Sequence, residues 1–260
     1  MNANNVVFFP FLGEFGWFLS SYIPFINNHH LTLNNKNHKT VYCFKGQEFF
    51  FPNVNTFKYL ELINSDKLNG PSGFTFNKTN FLNDHKNDTI IYHNIKHFSN
   101  NKNFNIGSLP LIDIPFCDVF IGARNRKHCQ FKNINWIPVI NYFKNMNKQI
   151  CIGGLKETTQ YYGTDLIYSY EYGDNNSVIS NFINNARYVL NVSSGMSILS
   201  EILNKHQLLI KVPKNKKTKG RHDWFNMEKT FFVESLAYND EKYLLDMVEQ
   251  YSEKINILLN

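Results

Sequence analysis

Residues Ile179 to Ile210 read ISNFINNARYVLNVSSGMSILSEILNKHQLLI, and this stretch decides the fold of the second half of the chain. Within it, Tyr188 to Val192 is a short run of apolar and β-branched side chains, as is typical of a buried strand. The run stops at Ser193-Ser194-Gly195, and apolar residues then return at helical spacing. The stretch therefore predicts a buried strand, a short polar turn and a helix, in that order.

The turn between this strand and this helix is a candidate anion site. Backbone N–H groups without helical partners and the positive end of the helix dipole meet at a helix N-terminus. Two serine hydroxyls add hydrogen-bond donors, and a glycine lets a ligand approach the backbone closely. We therefore expect Ser193, Ser194, Gly195 and Met196 to bind a diphosphate. The alternative is that Ser193 or Ser194 simply caps the helix.

Strand and helix patterns alternate through the second half of the chain. Asn135 is a predicted N-cap for one of the helices. Such alternation predicts an α/β fold with a parallel, doubly wound sheet that collects its ligands at the carboxyl ends of the strands. The predicted strands are Val119 to Gly122, Gln149 to Ile152, Leu166 to Tyr168, Tyr188 to Val192 and Leu208 to Val212.

Polar or glycine-containing loops follow four of these strands in succession. They carry Arg124, Arg126 and Lys127 after the first strand, Gly153 after the second, Glu171 and Tyr172 after the third, and the Ser-Ser-Gly turn after the fourth. We expect the three cations to neutralise a diphosphate, and Glu171 and Tyr172 to contact the base or ribose of a nucleotide. The alternative for the basic triplet is a solvated loop.

The first half of the chain begins with a predicted βαβ unit. Val6 to Phe11 is a strand, the turn Gly13 to Trp17 leads into a helix through Ile26, and Thr40 to Phe44 is the next strand. Between residues 49 and 113 every apolar run is interrupted, and only Thr89 to Tyr92 has the character of a strand. We expect domains at 1–112 and 113–240, followed by an amphipathic helix at 241–260.

Composition restricts the class of protein. The 260 residues are 43% hydrophobic, which excludes disorder, and the net charge of +6 suits an anionic ligand without indicating nucleic acid. The four cysteines are far apart and lack a CxxC pair, so we expect buried free thiols in a reducing compartment and a cytoplasmic protein.

The run from Phe8 to Ile26 is too interrupted for a membrane span or signal peptide. Lys214 to Arg221 is expected to be a solvated loop, with weak peripheral contact to an anionic surface as the alternative.

Several of these motifs, taken in order, resemble the GT-B glycosyltransferases, especially bacterial heptosyltransferase-like enzymes. The resemblance implies two Rossmann-like domains facing across a cleft, with the N-terminal domain reduced and the second domain holding a nucleotide sugar. One departure concerns Ser194, which replaces an aspartate frequent in the heptosyltransferases and leaves the identity of the donor open. The motifs are Arg124-Asn125, Asn135-Trp136, Ile150 to Gly154, Ala186 to Gly195 and Gly13-Glu14-Phe15-Gly16-Trp17.

The resemblance implies an enzyme that moves a sugar from a nucleotide-diphosphate sugar to a hydroxyl of a glycan or other acceptor, with inversion. Glu14 is the implied general base, in the acceptor-side loop formed by Gly13, Phe15, Gly16 and Trp17. The alternative for Glu14 is a carboxylate that stabilises a helix N-terminus, and the alternative for Phe15 and Trp17 is a place in the core. Asp223 is a second candidate base.

No metal is expected in this reaction, because no predicted strand end carries an Asp-x-Asp pair or a cluster of histidine and carboxylate at metal-ligand spacing. The donor sugar nucleotide is the expected substrate, and no cofactor is expected. Two other classes of function remain open at this point. One is a non-catalytic module that binds a nucleotide or a glycan, and the other is a nucleotide-sugar epimerase or hydrolase on the same fold.

Overall fold

A computed structural model describes residues 5–11, 18–32, 37–60, 76–93, 104–123, 134–156, 159–173, 176–210, 225, 228–233 and 240–259. The chain divides into two compact units, Met1–Pro110 and Leu111–Asn260, where the sequence led us to expect a boundary at residue 112. Each unit is built on a parallel β-sheet. The predicted α/β class with two Rossmann-like units is therefore confirmed.

The described residues of the first unit form a parallel sheet of the strands β1 (Val6–Phe8), β2 (Lys39–Cys43), β3 (Thr56–Tyr59) and β4 (Thr89–Ile91). Their order in the sheet is β3-β2-β1-β4. The helices of this unit are α1 (Ile23–Thr32) and α2 (Lys78–Asp84). A π-helical turn at Phe18–Tyr22 runs directly into α1, and a short 3-10 turn lies at Glu48–Phe50.

Aromatic side chains make up much of the core of the first unit. Phe8 and Phe50 are fully buried, and so is Tyr22, whose hydroxyl donates a hydrogen bond to the carbonyl of Phe9 at 2.9 Å. Burial raises the pKa of the Tyr22 phenol far above its usual range. Strand β1 ends at Phe8 rather than at Phe11, because Pro10 has no N–H with which to continue a ladder.

The described part of the second unit contains a larger parallel sheet. Its strands are β5 (Val119–Gly122), β6 (Ile150–Ile152), β7 (Ile167–Tyr168), β8 (Tyr188–Val192), β9 (Gln207–Ile210) and β10 (Thr230–Val233). Their order in the sheet is β10-β9-β8-β5-β6-β7. A 3-10 turn at Ser169–Tyr172 follows the edge strand β7. The helices are α3 (Ile137–Asn145), α4 (Asn176–Asn185), α5 (Gly195–Ile202) and α6 (Glu241–Leu259).

The core of the second unit joins its sheet to helices α3 and α6. Val119, Ile121 and Leu190 of the central strands are fully buried, and α6 adds Val248 and Ile255 to the same cluster. The N-cap of α3 is Trp136, one residue later than the Asn135 that the sequence predicted, although the side chain of Asn135 accepts a hydrogen bond from the N–H of Ile137 at 3.1 Å.

Three of the four cysteines lie in the described part of the chain. Cys43, Cys117 and Cys151 are free and buried, which confirms the prediction of buried thiols for them, whereas Cys129 lies outside the described residues. Burial, with a smaller contribution from Glu48, raises the pKa of Cys43 to about 12. Because the thiolate is the reactive form, Cys43 is an unreactive member of the core.

Candidate functional site

The chain changes direction across the second sheet between β5 and β8. Strands β5, β6 and β7 extend the sheet to one side, and β8, β9 and β10 extend it to the other. Loops that leave the carboxyl ends of two such strands diverge to opposite faces of the sheet, and the space between them is where open α/β sheets bind ligands. The last paired residues here are Gly122 and Asn191, so the candidate site lies just beyond them.

The Ser-Ser-Gly turn follows β8 directly at this switch point. Ser194 is the N-cap of α5 in an extended conformation, with φ of −155° and ψ of −178°. Its N–H donates to the hydroxyl oxygen of Ser197 at 3.2 Å, and that hydroxyl donates to the Ser194 carbonyl at 2.7 Å. The N–H of Ser193 donates to the carbonyl of Ile210 at 3.2 Å, so it is used within the sheet.

The first turn of α5 thus combines both expected roles, capping and an open helix N-terminus. Ser194 occupies the N-cap position, as one interpretation of the sequence held, but its buried hydroxyl has no hydrogen-bond partner among the described residues. Gly195 and Met196 are the first residues of the helix, and their N–H groups have no acceptor within it. These N–H groups and the helix dipole are suited to an anion at the carboxyl end of β8.

Gly122 allows the two central strands and α5 to meet closely. A Cβ atom at this position would lie 2.3 Å from the side-chain oxygen of Asn191 and 3.3 Å from Cε of Met196. Met196 is 8% exposed and therefore covers the end of β5 rather than projecting into solvent. Any larger residue than glycine at 122 would displace the side chain of Asn191, and Cε of Met196 would have to move by a few tenths of an ångström.

A buried polar network connects the start of α5 to the sheet. Asn191 donates from Nδ2 to the hydroxyl of Ser200 and to Oε1 of Gln207, both at 3.0 Å. Gln207 in turn donates from Nε2 to the carbonyl of Ser197 at 3.0 Å, and the hydroxyl of Ser200 donates to the carbonyl of Met196 at 2.9 Å. Asn191, Ser197, Ser200 and Gln207 are all fully buried. Strands β8 and β9 are therefore hydrogen-bonded to the first turns of the helix.

This network fixes the orientation of the Asn191 amide. Gln207 donates to a carbonyl through Nε2, so its Oε1 must accept, and the group that Asn191 presents to it must be the NH₂. Oδ1 of Asn191 is consequently directed toward Gly122, where it is buried without a hydrogen-bond partner in the described structure. Sequence analysis did not identify Asn191 or Gln207, although an asparagine inside the apolar run YVLNV was an available signal.

Packing accounts for the glycine pair that follows β6. A Cβ atom at Gly153 would lie 2.1 Å from Cζ of Phe120, so the phenylalanine ring occupies the space of a side chain. Gly154 has φ of +152°, a conformation that favours glycine. Its N–H donates to the hydroxyl of Ser169 at 3.1 Å, which ties the loop after β6 to the turn after β7.

Glu171 and Tyr172 lie in the turn that follows the edge strand β7. Both side chains are exposed, and the ring of Tyr172 makes an edge contact with Phe182 at 5.6 Å between centroids. Strand β7 is three strands from β8 in the sheet. At about 4.8 Å per strand the two turns are roughly 14 Å apart, so only an extended ligand would contact both.

The remaining predicted site residues lie outside the described part of the chain. They are the cations Arg124, Arg126 and Lys127, the loop of Gly13, Glu14, Phe15, Gly16 and Trp17, the basic run from Lys214 to Arg221, and Asp223. Arg124 follows Ala123, which is buried directly after β5. In the sequence the cations therefore follow β5, and the Ser-Ser-Gly turn follows β8.

The described residues contain neither a metal-binding cluster nor a membrane-spanning helix. No group of three or more His, Cys, Asp or Glu side chains lies together there in a way that would hold a metal ion. None of the helices within the described ranges has both the length and the apolar character that a membrane span requires.

Comparison with known proteins gives similarity at the level of structure. The sequence matches no protein-family model and no curated protein. Among solved structures, the ADP-heptose heptosyltransferase II of E. coli aligns with a TM-score of 0.57 and 8% identity, over 96% of this chain and 99% of that enzyme. The E. coli heptosyltransferase WaaC with ADP aligns with a TM-score of 0.54 and 9% identity, over 98% and 99% of the two chains.

A third solved structure has the same fold and contains a nucleotide sugar. It is the dodecameric, iron-containing heptosyltransferase TibC of enterotoxigenic E. coli in complex with ADP-D-β-D-heptose. It aligns with a TM-score of 0.53 and 12% identity, over 99% of this chain and 77% of TibC. This chain therefore has the GT-B glycosyltransferase fold, in the form found in the bacterial heptosyltransferases.

Proposed function

We propose that this chain is an inverting, metal-independent glycosyltransferase that moves a sugar from a nucleotide-diphosphate sugar to a hydroxyl group. The observation that carries the proposal is the start of α5, where helix N–H groups lie at the switch point of a Rossmann-like sheet. The ligands of two solved structures with this fold, ADP in WaaC and ADP-heptose in TibC, support a diphosphate donor.

The diphosphate in this proposal lies between the N-terminus of α5 and the loop after β5. The N–H groups of Gly195 and Met196 donate to its oxygens, with Ser193 and Ser194 beside them. Arg124, Arg126 and Lys127 neutralise the charge that develops on the departing nucleoside diphosphate, which is the role a metal ion has in other transferases. The net charge of +6 favours such a ligand.

The nucleoside in this proposal extends along the carboxyl edge of the sheet, from the switch point toward β7. It passes the backbone of Gly153 and reaches Glu171 and Tyr172, where an exposed ring and a carboxylate are available for the base and the ribose. The separation of roughly 14 Å between the turns after β7 and β8 requires an extended nucleotide.

The acceptor chemistry is assigned to the loop after β1. Glu14 takes the proton of the acceptor hydroxyl as the new glycosidic bond forms, and the bond to the donor phosphate breaks. Gly13, Phe15, Gly16 and Trp17 form the acceptor side, in which the two aromatic residues stack on a sugar ring. A single displacement of this kind inverts the anomeric centre.

A panel of donors tests the proposal. We expect release of nucleoside diphosphate from at least one ADP-, UDP- or GDP-sugar, dependent on an added glycan or alcohol and unchanged by EDTA. A CMP-sugar, which has a single phosphate, is the matched control and should not react. Activity that is abolished by EDTA and restored by manganese would contradict metal independence.

The same panel separates the other classes of function. Nucleotide binding without turnover would support a binding module. Turnover that needs no acceptor would support a hydrolase or an epimerase, and the proposed transfer would then be wrong.

A further inference from the structure

A groove lies on the first unit, between one face of α2 and the ends of β2 and β3. Its lining includes Tyr42 near the end of β2, Tyr59 at the end of β3, and Phe76 just before α2. The groove has a volume of about 220 Å³. This is below the roughly 300 to 1,000 Å³ of pockets that hold drug-sized ligands, so the groove suits one small ring rather than a nucleotide.

Aromatic rings form the apolar part of this groove. Phe81 is 3% exposed, and its ring contacts Tyr42 and Phe76 with centroid separations of 5.2 and 5.4 Å. Tyr59, by contrast, is 54% exposed. The surface therefore combines a buried aromatic floor with an exposed ring available to a ligand.

Hydrogen bonds hold both tyrosines in place. The hydroxyl of Tyr59 donates to the carboxylate of Glu48, which also accepts from the N–H of Gly46 at 2.7 Å. Tyr42 and Nε2 of His85 are 2.7 Å apart, and Nδ1 of the same imidazole is 2.7 Å from a carboxylate oxygen of Asp88. The imidazole of His85 therefore links the hydroxyl of Tyr42 to the carboxylate of Asp88. The groove is thus organised before any ligand binds.

Helix α2 supplies the polar side of the groove. Asn80 and Asp84 are four residues apart, so they share a helix face with Phe81, and both are exposed. An amide both donates and accepts hydrogen bonds, and a carboxylate accepts several. The described lining of the groove contains no lysine or arginine, and the acids Asp84 and Glu48 disfavour phosphate and other anions there.

We propose that this groove binds a single neutral saccharide ring. Exposed tyrosine offers an apolar face to the C–H groups of a sugar, while Asn80 and Asp84 pair with its hydroxyls. Since the groove shares no residue with the proposed donor site or the proposed acceptor loop, the inference stands independently of glycosyl transfer.

Titration of the whole chain with methyl glycosides of glucose, galactose, mannose and N-acetylglucosamine tests this proposal. We expect at least one to bind in the millimolar range and to perturb the NMR signals of the Tyr59 and Phe76 rings. Asp84→Asn should weaken that binding about tenfold, because a hydrogen bond to a charged group is lost. Tyr59→Ala should weaken it about as much, through loss of the stacking surface.

Tyr161→Ala is the matched control, since Tyr161 is 58% exposed and belongs to the second unit. This variant should bind the glycoside as the wild type does, and thermal melting should show all three variants folded. The proposal is wrong if no glycoside binds, if the two groove variants bind undiminished, or if saturating ADP displaces the glycoside. Binding of simple amines in place of glycosides would also overturn it and assign the groove to cations.

Discussion

Gly122 is the residue on which the geometry of the candidate donor site depends most directly. The missing side chain leaves room for Oδ1 of Asn191 and Cε of Met196, at 2.3 and 3.3 Å from where a Cβ atom would lie. Gly122→Ala should therefore destabilise the fold by about 1 to 3 kcal/mol, the usual cost of overpacking a core. Urea unfolding of the variant and the wild type measures this difference.

A double-mutant cycle with Asn191 isolates the cause of that loss. Asn191→Ala removes the oxygen nearest to residue 122, so Gly122→Ala should cost less free energy of unfolding in that background than in the wild type. Asn191→Ala will itself be destabilising, because Gln207 and Ser200 lose a buried partner. An equal cost of Gly122→Ala in both backgrounds would show that the close contact with Asn191 is not responsible.

Glu14 is the residue on which the proposed chemistry depends. Glu14→Gln keeps the size and polarity of the side chain but cannot accept a proton, so the transfer rate should fall by about 100-fold to 10,000-fold. Donor affinity should stay near the wild-type value, because the proposed donor site belongs to the second unit. Steady-state kinetics with the active donor and acceptor, together with calorimetry of nucleoside diphosphate binding, separate the two effects.

The control for this variant is Glu249→Gln, which alters an exposed carboxylate of α6. It should leave turnover unchanged. Near wild-type turnover in Glu14→Gln would move the base to Asp223, or leave the chain without a base and favour the binding module.

Among the elements, helix α6 is joined to the central sheet by hydrogen bonds as well as by its apolar stripe. The hydroxyl of its fully buried Tyr251 accepts from the N–H of Val189 at 2.9 Å and donates to the carbonyl of His206 at 3.1 Å. Burial raises the pKa of this phenol far above its usual range, so it stays protonated and can donate. The helix thus satisfies backbone groups of β8 and of the segment before β9.

Tyr251→Phe should cost about 1 to 3 kcal/mol of unfolding free energy, because it leaves a buried N–H group without an acceptor. Tyr243→Phe on the same helix is the matched control and should change the stability by less than about 0.5 kcal/mol. Thermal and urea unfolding of the two variants provide the measurement. Equal stability of both variants would show that the Tyr251 hydroxyl contributes nothing.

The elements that sequence analysis located correctly are those with long apolar runs and clear ends. Strands β5 and β8 and helix α6 have the predicted bounds, because the two strands are continuous buried runs and the helix has a buried stripe that repeats regularly in the sequence. Strand β3, helix α2 and strand β10 were not predicted. Thr56–Tyr59 is half exposed at a sheet edge, and Lys78–Asp84 has one buried residue, Phe81. Neither segment therefore has apolar residues at a regular spacing in the sequence.

The candidate site was predicted in outline and not in its supporting contacts. The Ser-Ser-Gly turn and its position at a helix start follow from local pattern, and the structure has them there. The Asn191 network joins residues up to 16 positions apart, and Gly122 meets Asn191 only because β5 and β8 are neighbours across the switch point. Local periodicity contains no information about such pairings.

At the scale of the whole molecule, the two units repeat one topology. In each, the chain starts near the middle of a parallel sheet, adds two strands to one side, and then crosses to the other side of its first strand, as seen for β1–β4 and β5–β8. Each unit therefore has a switch point at the carboxyl end of its first strand. The proposed base and the proposed donor site are assigned to these two positions.

Soaking crystals of the chain with ADP, UDP and GDP tests the assignment of the donor site most directly. The account predicts density for a diphosphate against the N–H groups of Gly195 and Met196, beside Gly122, with the nucleoside extending toward Glu171 and Tyr172. A diphosphate bound elsewhere on the molecule, or no bound nucleotide at millimolar concentration, would contradict the account.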